Sequence, residues 1–207
     1  MLILRNIGLR AAISFLTAFL LFSGCAALFG WDIHAPGILS ESFVQNVQPS
    51  PHRVAFYLDP ESWKAVSKNK GGFWADPQTY HVGEAFLPMV IEGFQNGFEE
   101  FVFLEVEPSA AILQQYGIEY AAMTKIMGLG NSVTLKGQAL ELRTRTAVYD
   151  TQMQLLGEFE SRGLSDAKKV FAKKGGPEVN LNAAIENNIL AMVQYIQDAI
   201  RTGDWRQ

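Results

Sequence analysis

The sequence predicts an α+β domain, a two-layer sandwich in which a mixed or antiparallel sheet of about five strands carries two amphipathic helices on one face. Two periodicities predict it. Apolar residues recur at steps of three and four over residues 86–101 and again over 181–200, as in a helix that is buried along one side. Over residues 140–160 apolar and polar residues alternate, as in antiparallel strands with one wet face.

The strands are predicted from runs of strand-forming residues. Val54–Leu58 is an apolar run that a proline soon ends, which is typical of a buried strand. Gly128, Gly130 and Asn131 are turn formers and predict a turn after the third strand, and Asp150-Thr151-Gln152 predicts the turn between the last two strands. The predicted strands are residues 54–58, 101–106, 120–127, 140–148 and 154–160.

The two helices are predicted from their apolar stripes. Pro88 lies near the start of the first helix, where a missing backbone donor costs least, and Asn180 precedes the second as a plausible N-cap. Residues 109–115 predict only a short helical turn. The stripes are Phe86, Leu87, Val90, Ile91, Phe94, Phe98 and Phe101 in the first helix, and Leu181, Ile185, Ile189, Met192, Ile196 and Ile200 in the second.

Residues 1–24 have the order of a secretory signal peptide. Arg5 and Arg10 are the only charges in this stretch, an apolar run of 12 residues follows from Ala11 to Phe22, and small residues precede Cys25. The run is shorter than the ~20 residues that cross a bilayer as a helix. Cys25 is the only cysteine of the chain, so it cannot form an internal disulfide. We therefore predict cleavage directly before this cysteine.

The segment Phe22-Ser23-Gly24-Cys25 resembles the lipobox of bacterial lipoproteins, although Phe22 stands where that motif prefers leucine. The resemblance implies a diacylglyceryl group on the Cys25 sulfur and a further acyl chain on its amine, and several acyl chains bind a membrane stably. The next residue is Ala26 and not the aspartate that is associated with retention in the inner membrane. The expected location is therefore the outer membrane, with the lipid-anchored domain facing the periplasm.

The charge balance argues against nucleic acid as a partner. The chain has 17 lysines and arginines against 21 acidic residues; without Arg5 and Arg10 the balance is 15 against 21, a formal net charge of −6. Residues 25–52 contain three prolines and no sustained period, so they predict a lipidated tether, and 53–207 predict one periplasmic domain. The apolar residues of this tether indicate that part of it lies on the domain.

The sequence shows no constellation of catalytic residues. His34, His52 and His81 lie in the predicted tether or in loops without zinc-ligand spacing, so we interpret them as solvated. Gly128-Leu129-Gly130 lacks the glycine pattern of a dinucleotide loop, and Lys173–Gly176 lacks that of a phosphate loop. We therefore predict a non-enzymatic protein with no catalytic residue, no metal and no cofactor.

Residues 61–80 are the predicted working surface. Tryptophan and tyrosine beside lysines are typical of a partner-binding surface or a membrane interface. A loop folded down onto the sheet explains the same residues equally well. The possible partner-binding residues are Trp63, Phe73, Trp74 and Tyr80, with Lys64, Lys68 and Lys70 among them.

Val54–Leu58, Gly83–Phe101, Tyr149-Asp150 and Leu181–Ile200 together resemble the fold of the TolB N-terminal domain and of assembly or secretion lipoproteins such as the curli and Pel exopolysaccharide components. The resemblance covers residues 53–201, and no functional residue is carried over from it. It implies an accessory or structural component of a cell-envelope complex that binds an envelope protein or itself. The alternative is a periplasmic carrier that holds a lipid or other apolar ligand between helices and sheet.

Overall fold

The computed structural model describes residues 30–70, 77–134, 137–165 and 176–205. The chain divides into two compact units, one of residues 1–32 and 68–79 and the other of residues 33–67 and 80–207. Only short pieces of the first unit are described; in them the Trp31 amide donates to the Pro77 carbonyl at 2.8 Å. The second unit contains the long strands and helices.

The described residues contain eight strands and five helices. The strands are β1 Trp31–Ile33, β2 Ser50–Leu58, β3 Val66–Asn69, β4 Gln78–His81, β5 Phe98–Leu104, β6 Tyr120–Thr134, β7 Gly137–Tyr149 and β8 Leu155–Leu164. The helices are α1 Glu41–Asn46, α2 Pro60–Trp63, α3 Val82–Gly97, α4 Ala110–Gln115 and α5 Pro177–Thr202.

The main sheet has five strands in the order β5-β2-β6-β7-β8, and a second sheet has three in the order β1-β4-β3. In the main sheet β2 is parallel to both β5 and β6, whereas β6, β7 and β8 form an antiparallel meander. Helices α3 and α5 cover one face of this sheet and share one apolar core with it. The predicted α+β fold class, with a five-stranded mixed sheet and two long helices, is therefore confirmed.

Helix α3 starts and ends earlier than its stripe predicted. Phe86, Val90 and Phe94 are fully buried, as expected, but the helix ends at Gly97, and Phe98 already belongs to β5. Leu87 and Ile91 are only partly buried. Glycine, alanine and methionine residues complete the buried side of the helix instead. A stripe defined by large apolar residues does not include them. The buried residues are Val82, Gly83, Ala85, Phe86, Met89, Val90, Gly93, Phe94 and Gly97.

Helix α5 is delimited by the residues that commonly start and stop helices. Pro177 stands in its first turn, where no intrahelical donor is needed, and Gly203 follows its end with φ of 72°, a left-handed conformation that favours glycine. Arg201 in the last turn lies at the negative end of the helix dipole. The predicted stripe from Leu181 to Ile196 is buried.

Strand β6 is longer than the sequence indicated. Gly128, Gly130 and Asn131, which predicted a turn, lie inside this strand and pair with β7. The pairing register shifts between Ile126 and Gly128, and Gly128 has φ of 154°, which favours glycine. A glycine at a bulge produces the same sequence signal as a turn, and here it bends a continuing strand.

The far face of the sheet is covered in part. Helix α4, predicted only as a turn, begins after Ser109, whose hydroxyl accepts from the Ile112 amide. It contributes Leu113 to a second apolar cluster on the β5-β2-β6 side of the sheet. The buried members of this cluster are Ala55, Leu104, Leu113, Ile118 and Ala121.

Residues 33–48, which we call the arm, belong to the folded body. The Ser40 hydroxyl caps α1, and apolar side chains of the arm enter the main core. Within the described residues, side chains of the predicted tether are buried in the main core from Ile33 onwards, so the part of the tether that lies on the domain includes residues 33–48. The buried residues of the arm are Ile33, Leu39, Phe43 and Val47.

Polar side chains of α5 hold the arm in place. The Asn182 Oδ1 atom accepts from the amides of Gly37 and Ile38 at 3.1 and 3.3 Å, and its Nδ2 donates to the Ile38 carbonyl at 2.8 Å. The Glu186 carboxylate accepts from the Ser40 amide at 2.9 Å and from its hydroxyl at 2.5 Å. Because the contacts fall one helical turn apart, the arm runs along one side of α5.

Candidate functional site

The structure places two of the four predicted partner-binding residues, Trp63 and Tyr80, against or inside the core. Tyr80 is 1 % exposed, and Trp63 is partly buried against the core with its indole N–H donating to the Leu58 carbonyl at 3.0 Å. For these two residues the alternative of a segment folded onto the body is the correct one. Phe73, Trp74 and the lipidation candidate Cys25 lie outside the described residues, so their roles stay predictions.

Tyr80 belongs to a polar group inside the fold. The Gln138 Nε2 atom donates to the Tyr80 hydroxyl at 2.6 Å, and the Asn131 Nδ2 atom does so at 3.3 Å. Burial raises the pKa of Tyr80 to about 12, although the two donors favour the phenolate. Asn180, predicted as a cap, is instead buried in α5 and donates to the Gln138 carbonyl at 2.8 Å. Tyr80 therefore has a structural role.

The space that a carrier would use is filled by side chains. The Phe56 and Phe94 rings lie 4.7 Å apart between sheet and helix. Helices α3 and α5 approach so closely that a Cβ added at Gly93 would meet Ile189 Cγ2 at 2.5 Å, and one at Gly97 would meet Val193 Cγ1 at 2.5 Å. Among the described residues, this geometry does not favour a lipid held between the two helices and the sheet.

Beyond α4, the outward residues of β6, β7 and β8 form a polar surface that we call the open face. Cross-strand neighbours set its rows: Lys125 pairs with Arg145, and Arg145 with Glu160. The row beside it runs from Met123 through Ala147 to Glu158. The open face comprises Met123, Lys125, Arg143, Arg145, Ala147, Glu158, Glu160 and Arg162.

Arg145 is the centre of the ion pairs on the open face. Its guanidinium lies 3.3 Å from Glu158 and 3.2 Å from Glu160, with about half of each side chain exposed. Such exposed pairs contribute little to folding, about 0.2–1 kcal/mol each. Beside Arg145 lies a depression of about 220 Å³, which Lys125 and the rings of Tyr57 and Tyr149 also line. Asp59 and Glu158 line it as well, so the depression offers both charges beside its aromatic groups.

Arg143 and Arg162 stand directly opposite each other on β7 and β8. Both are exposed, and neither makes an ion pair with any residue in the described parts of the chain. Like charges in this position are destabilising by a few tenths to about 1 kcal/mol. Within the described parts of the chain, no ion pair offsets this repulsion.

Three possible metal ligands converge where α3 begins. The His34 Nδ1 atom lies 2.9 Å from Glu84 Oε2, and His81 Nδ1 lies 3.4 Å from Glu84 Oε1. The two imidazole rings stack with centroids 4.1 Å apart and planes 13° apart. We interpreted these histidines as separate and solvated, and the structure brings them together. The local signal that was missed is the spacing of His81 and Glu84 at a helix start.

The third histidine makes a simpler contact. His52 Nδ1 lies 2.8 Å from Glu119 Oε2, and no second histidine joins them among the described residues. The Arg53 amide donates a hydrogen bond to the Glu119 carboxylate, and this bond is the main reason why the pKa of Glu119 lies below its ordinary value. The hydrogen bond with His52 is the second reason. This pair offers one imidazole and one carboxylate, and no third ligand group joins them in the described parts of the chain.

Comparison with known proteins identifies no family. No protein-family model matches the chain, and no curated protein sequence is significantly similar to it. Among the described residues no helix has both the length and the apolar character needed to span a membrane.

Three solved structures share parts of the fold, each at 8 % identity. The hypothetical protein CT253 from Chlamydia trachomatis has a TM-score of 0.47 and covers 74 % of this chain and 99 % of its own. A PelC dodecamer from Paraburkholderia phytofirmans has a TM-score of 0.40, and the alignment covers 70 % of this chain and 91 % of the PelC chain. The lipoprotein GNA1162 from Neisseria meningitidis has a TM-score of 0.34, and the alignment covers 73 % of this chain and 99 % of the GNA1162 chain. At TM-scores below 0.5 these likenesses assign no function to this chain, and its lipobox and TolB-like relationship stay predictions.

Proposed function

We propose that the chain is a non-enzymatic lipoprotein of the bacterial cell envelope that is anchored through Cys25, in the outer membrane facing the periplasm, and serves as an accessory component of an assembly or secretion complex. The observation that carries the proposal is the order of charge, apolar run and small residues that ends at the only cysteine. Lipidation gives that otherwise unpaired thiol a purpose.

The open face is the surface that we propose for the partner. Its opposed Arg143 and Arg162 concentrate positive charge on a protein whose mature net charge is −6, counting 15 basic against 21 acidic residues. An acidic envelope protein that placed a carboxylate between the two guanidiniums would relieve their repulsion and form charge-assisted hydrogen bonds. A second copy of this chain, which is itself acidic, is the other possible source of such a carboxylate.

The anchor is tested with the full-length chain and its Cys25→Ser variant. We expect the wild type to be cut before Cys25, to incorporate labelled fatty acid and to sediment with membranes. We expect the variant to lose the label and to keep its signal peptide. If the variant still carried fatty acid, or if the wild type carried none, the anchor proposal would be wrong.

The open face is tested separately with a photo-crosslinking residue at Glu158, on the β8 edge of this surface. The matched control carries the same residue at Gln194, on the exposed side of α5. We expect a discrete adduct in intact cells from Glu158 alone, and we expect Arg143→Ala with Arg162→Ala to abolish it. The adduct mass and peptides distinguish an envelope protein from a second copy. Adducts that ignore the two arginines would contradict the proposed surface and leave the anchor untouched.

A further inference from the structure

We infer that His34, His81 and Glu84 form a binding site for a divalent transition-metal ion such as Zn²⁺. The three side chains offer two imidazole nitrogens and a carboxylate oxygen, and all these ligand atoms lie within 4.8 Å of one another. Zinc is held by these ligand types, and three protein ligands with a water as the fourth make a common coordination shell. The inference does not depend on the lipid anchor or on the open face.

The distances suit an ion of this size. Zinc binds nitrogen and oxygen at about 2.0–2.2 Å, so the ligand atoms of a tetrahedral site lie about 3.3 Å apart. The contacts of Glu84 with His34 and His81, at 2.9 and 3.4 Å, are close to that separation. Both Nδ1 atoms contact the same carboxylate, and because the two imidazole rings are stacked almost parallel, a rotation of one ring would direct both nitrogens at a single ion.

The backbone holds each ligand in its position. His81 ends β4 and directly precedes α3, and Glu84 lies in the first turn of that helix. His34 follows β1, which neighbours β4 in the small sheet. The amides of Gly37 and Ile38, a few residues later, are fixed by Asn182. Ligands that are positioned before the ion arrives lose less conformational freedom when it binds.

The electrostatics of the helix start also bear on the site. The positive end of the α3 dipole opposes a cation, and the Glu84 carboxylate in the first turn offsets this field. The side chains of His34 and Glu84 are 55 % and 61 % exposed, so water can complete the coordination shell. An ion bound here would join the arm, through His34, to the start of α3.

The test uses the purified full-length chain in detergent, stripped of metal with a chelator, and ZnCl₂ as the probe. Calorimetric titration should show one Zn²⁺ per chain. His34→Ala and Glu84→Gln should each weaken binding by roughly tenfold or more, since the first removes an imidazole ligand and the second replaces a carboxylate with a neutral amide. His52→Ala is the matched control, because it deletes a histidine that also contacts a glutamate. It should leave the affinity unchanged.

A second readout separates a metal site from a merely structural contact. Zinc should raise the thermal midpoint of the wild type and slow hydrogen exchange at the amides of Gly37 and Ile38, but it should do neither in His34→Ala. Without zinc, His34→Ala and the wild type should melt alike, since His34 is exposed. The inference is overturned by the absence of binding, by full affinity in His34→Ala, or by an equal loss of affinity in His52→Ala.

Discussion

The covered face and the open face of the main sheet are built from alternate residues of the same strands, and they treat polar groups differently. On the covered face the Thr124 and Thr146 hydroxyls pair at 2.8 Å, and Thr144 donates to Asn188 Oδ1 at 3.0 Å. On the open face Arg143 and Arg162 oppose each other without an ion pair to any described residue. A buried polar group needs a hydrogen-bond partner within the fold, whereas an exposed one is hydrated and remains available to a binding partner.

This difference indicates where function is to be sought in such a domain. On the covered face, burying a polar group without a hydrogen bond would be costly, and this cost explains the hydrogen bonds that are seen there. No bound ligand is needed to account for them. No ion pair among the described residues accounts for the opposed arginines, which makes them candidates for a contact outside the fold. The largest effects on stability are expected on the covered face, where a substitution leaves polar or charged groups buried without a partner.

The largest effect is expected for Phe94→Asp. Phe94 is fully buried between α3 and β2, so the substitution places a carboxylate in the core without a partner. The cost of several kcal/mol is comparable with the whole stability of a domain. Chemical denaturation should show an unfolded or very weakly folded chain. Gln95→Asp introduces the same side chain at an exposed position of the helix and should cost less than about 1 kcal/mol; similar losses in both variants would contradict the packing of α3.

Asn188→Ala should destabilise the fold by about 3 kcal/mol. The Asn188 Nδ2 atom donates to the carbonyls of Leu142 and Ser161 at 3.2 and 2.9 Å, in addition to the contact with Thr144. Each buried group left without a partner costs about 1–3 kcal/mol. The neighbouring Asn187→Ala removes one exposed bond to the Leu164 carbonyl and should cost less than about 1 kcal/mol. Unfolding midpoints in urea measure both, and equal midpoints would mean that the interior network is not needed.

The smallest effect is expected on the open face, and it has the opposite sign. Arg162→Glu replaces a like-charge pair with an ion pair to Arg143 and should stabilise the fold by about 0.5 kcal/mol, less at high salt. Arg162→Gln should give part of this gain. A loss of stability in both variants would show that the arginines serve the fold, and the comparison between the faces would fail.

The α+β class and most strands and helices could be predicted, because burial on one side imposes a period that the sequence displays directly. The length of β6 could not, since a bulge glycine and a turn glycine look alike. The arm was predicted only as a tether that partly lies on the domain, because its few buried residues have no period. Asn188 was a detectable signal, since it is a polar residue on the apolar stripe of α5.

The candidate sites were less predictable than the fold. His34 and His81 are 47 positions apart in the sequence, and only the neighbourhood of β1 and β4 brings them together. Arg143 and Arg162 are opposed because of the hairpin register, which the turn alone did not reveal. Tyr80 illustrates the reverse error: its aromatic ring and neighbouring lysines are typical of a surface, yet its hydroxyl is bonded inside the fold.

The docked arm has a consequence for how far the domain can travel. If Cys25 carries the proposed lipid, eight residue steps separate the anchored cysteine from Ile33, the first buried residue of the arm. A fully extended chain covers about 3.3–3.6 Å per residue, so Ile33 would lie within about 30 Å of the anchored cysteine. A partner in the same leaflet would therefore meet it at a high effective concentration, and modest affinity would be enough for stable association.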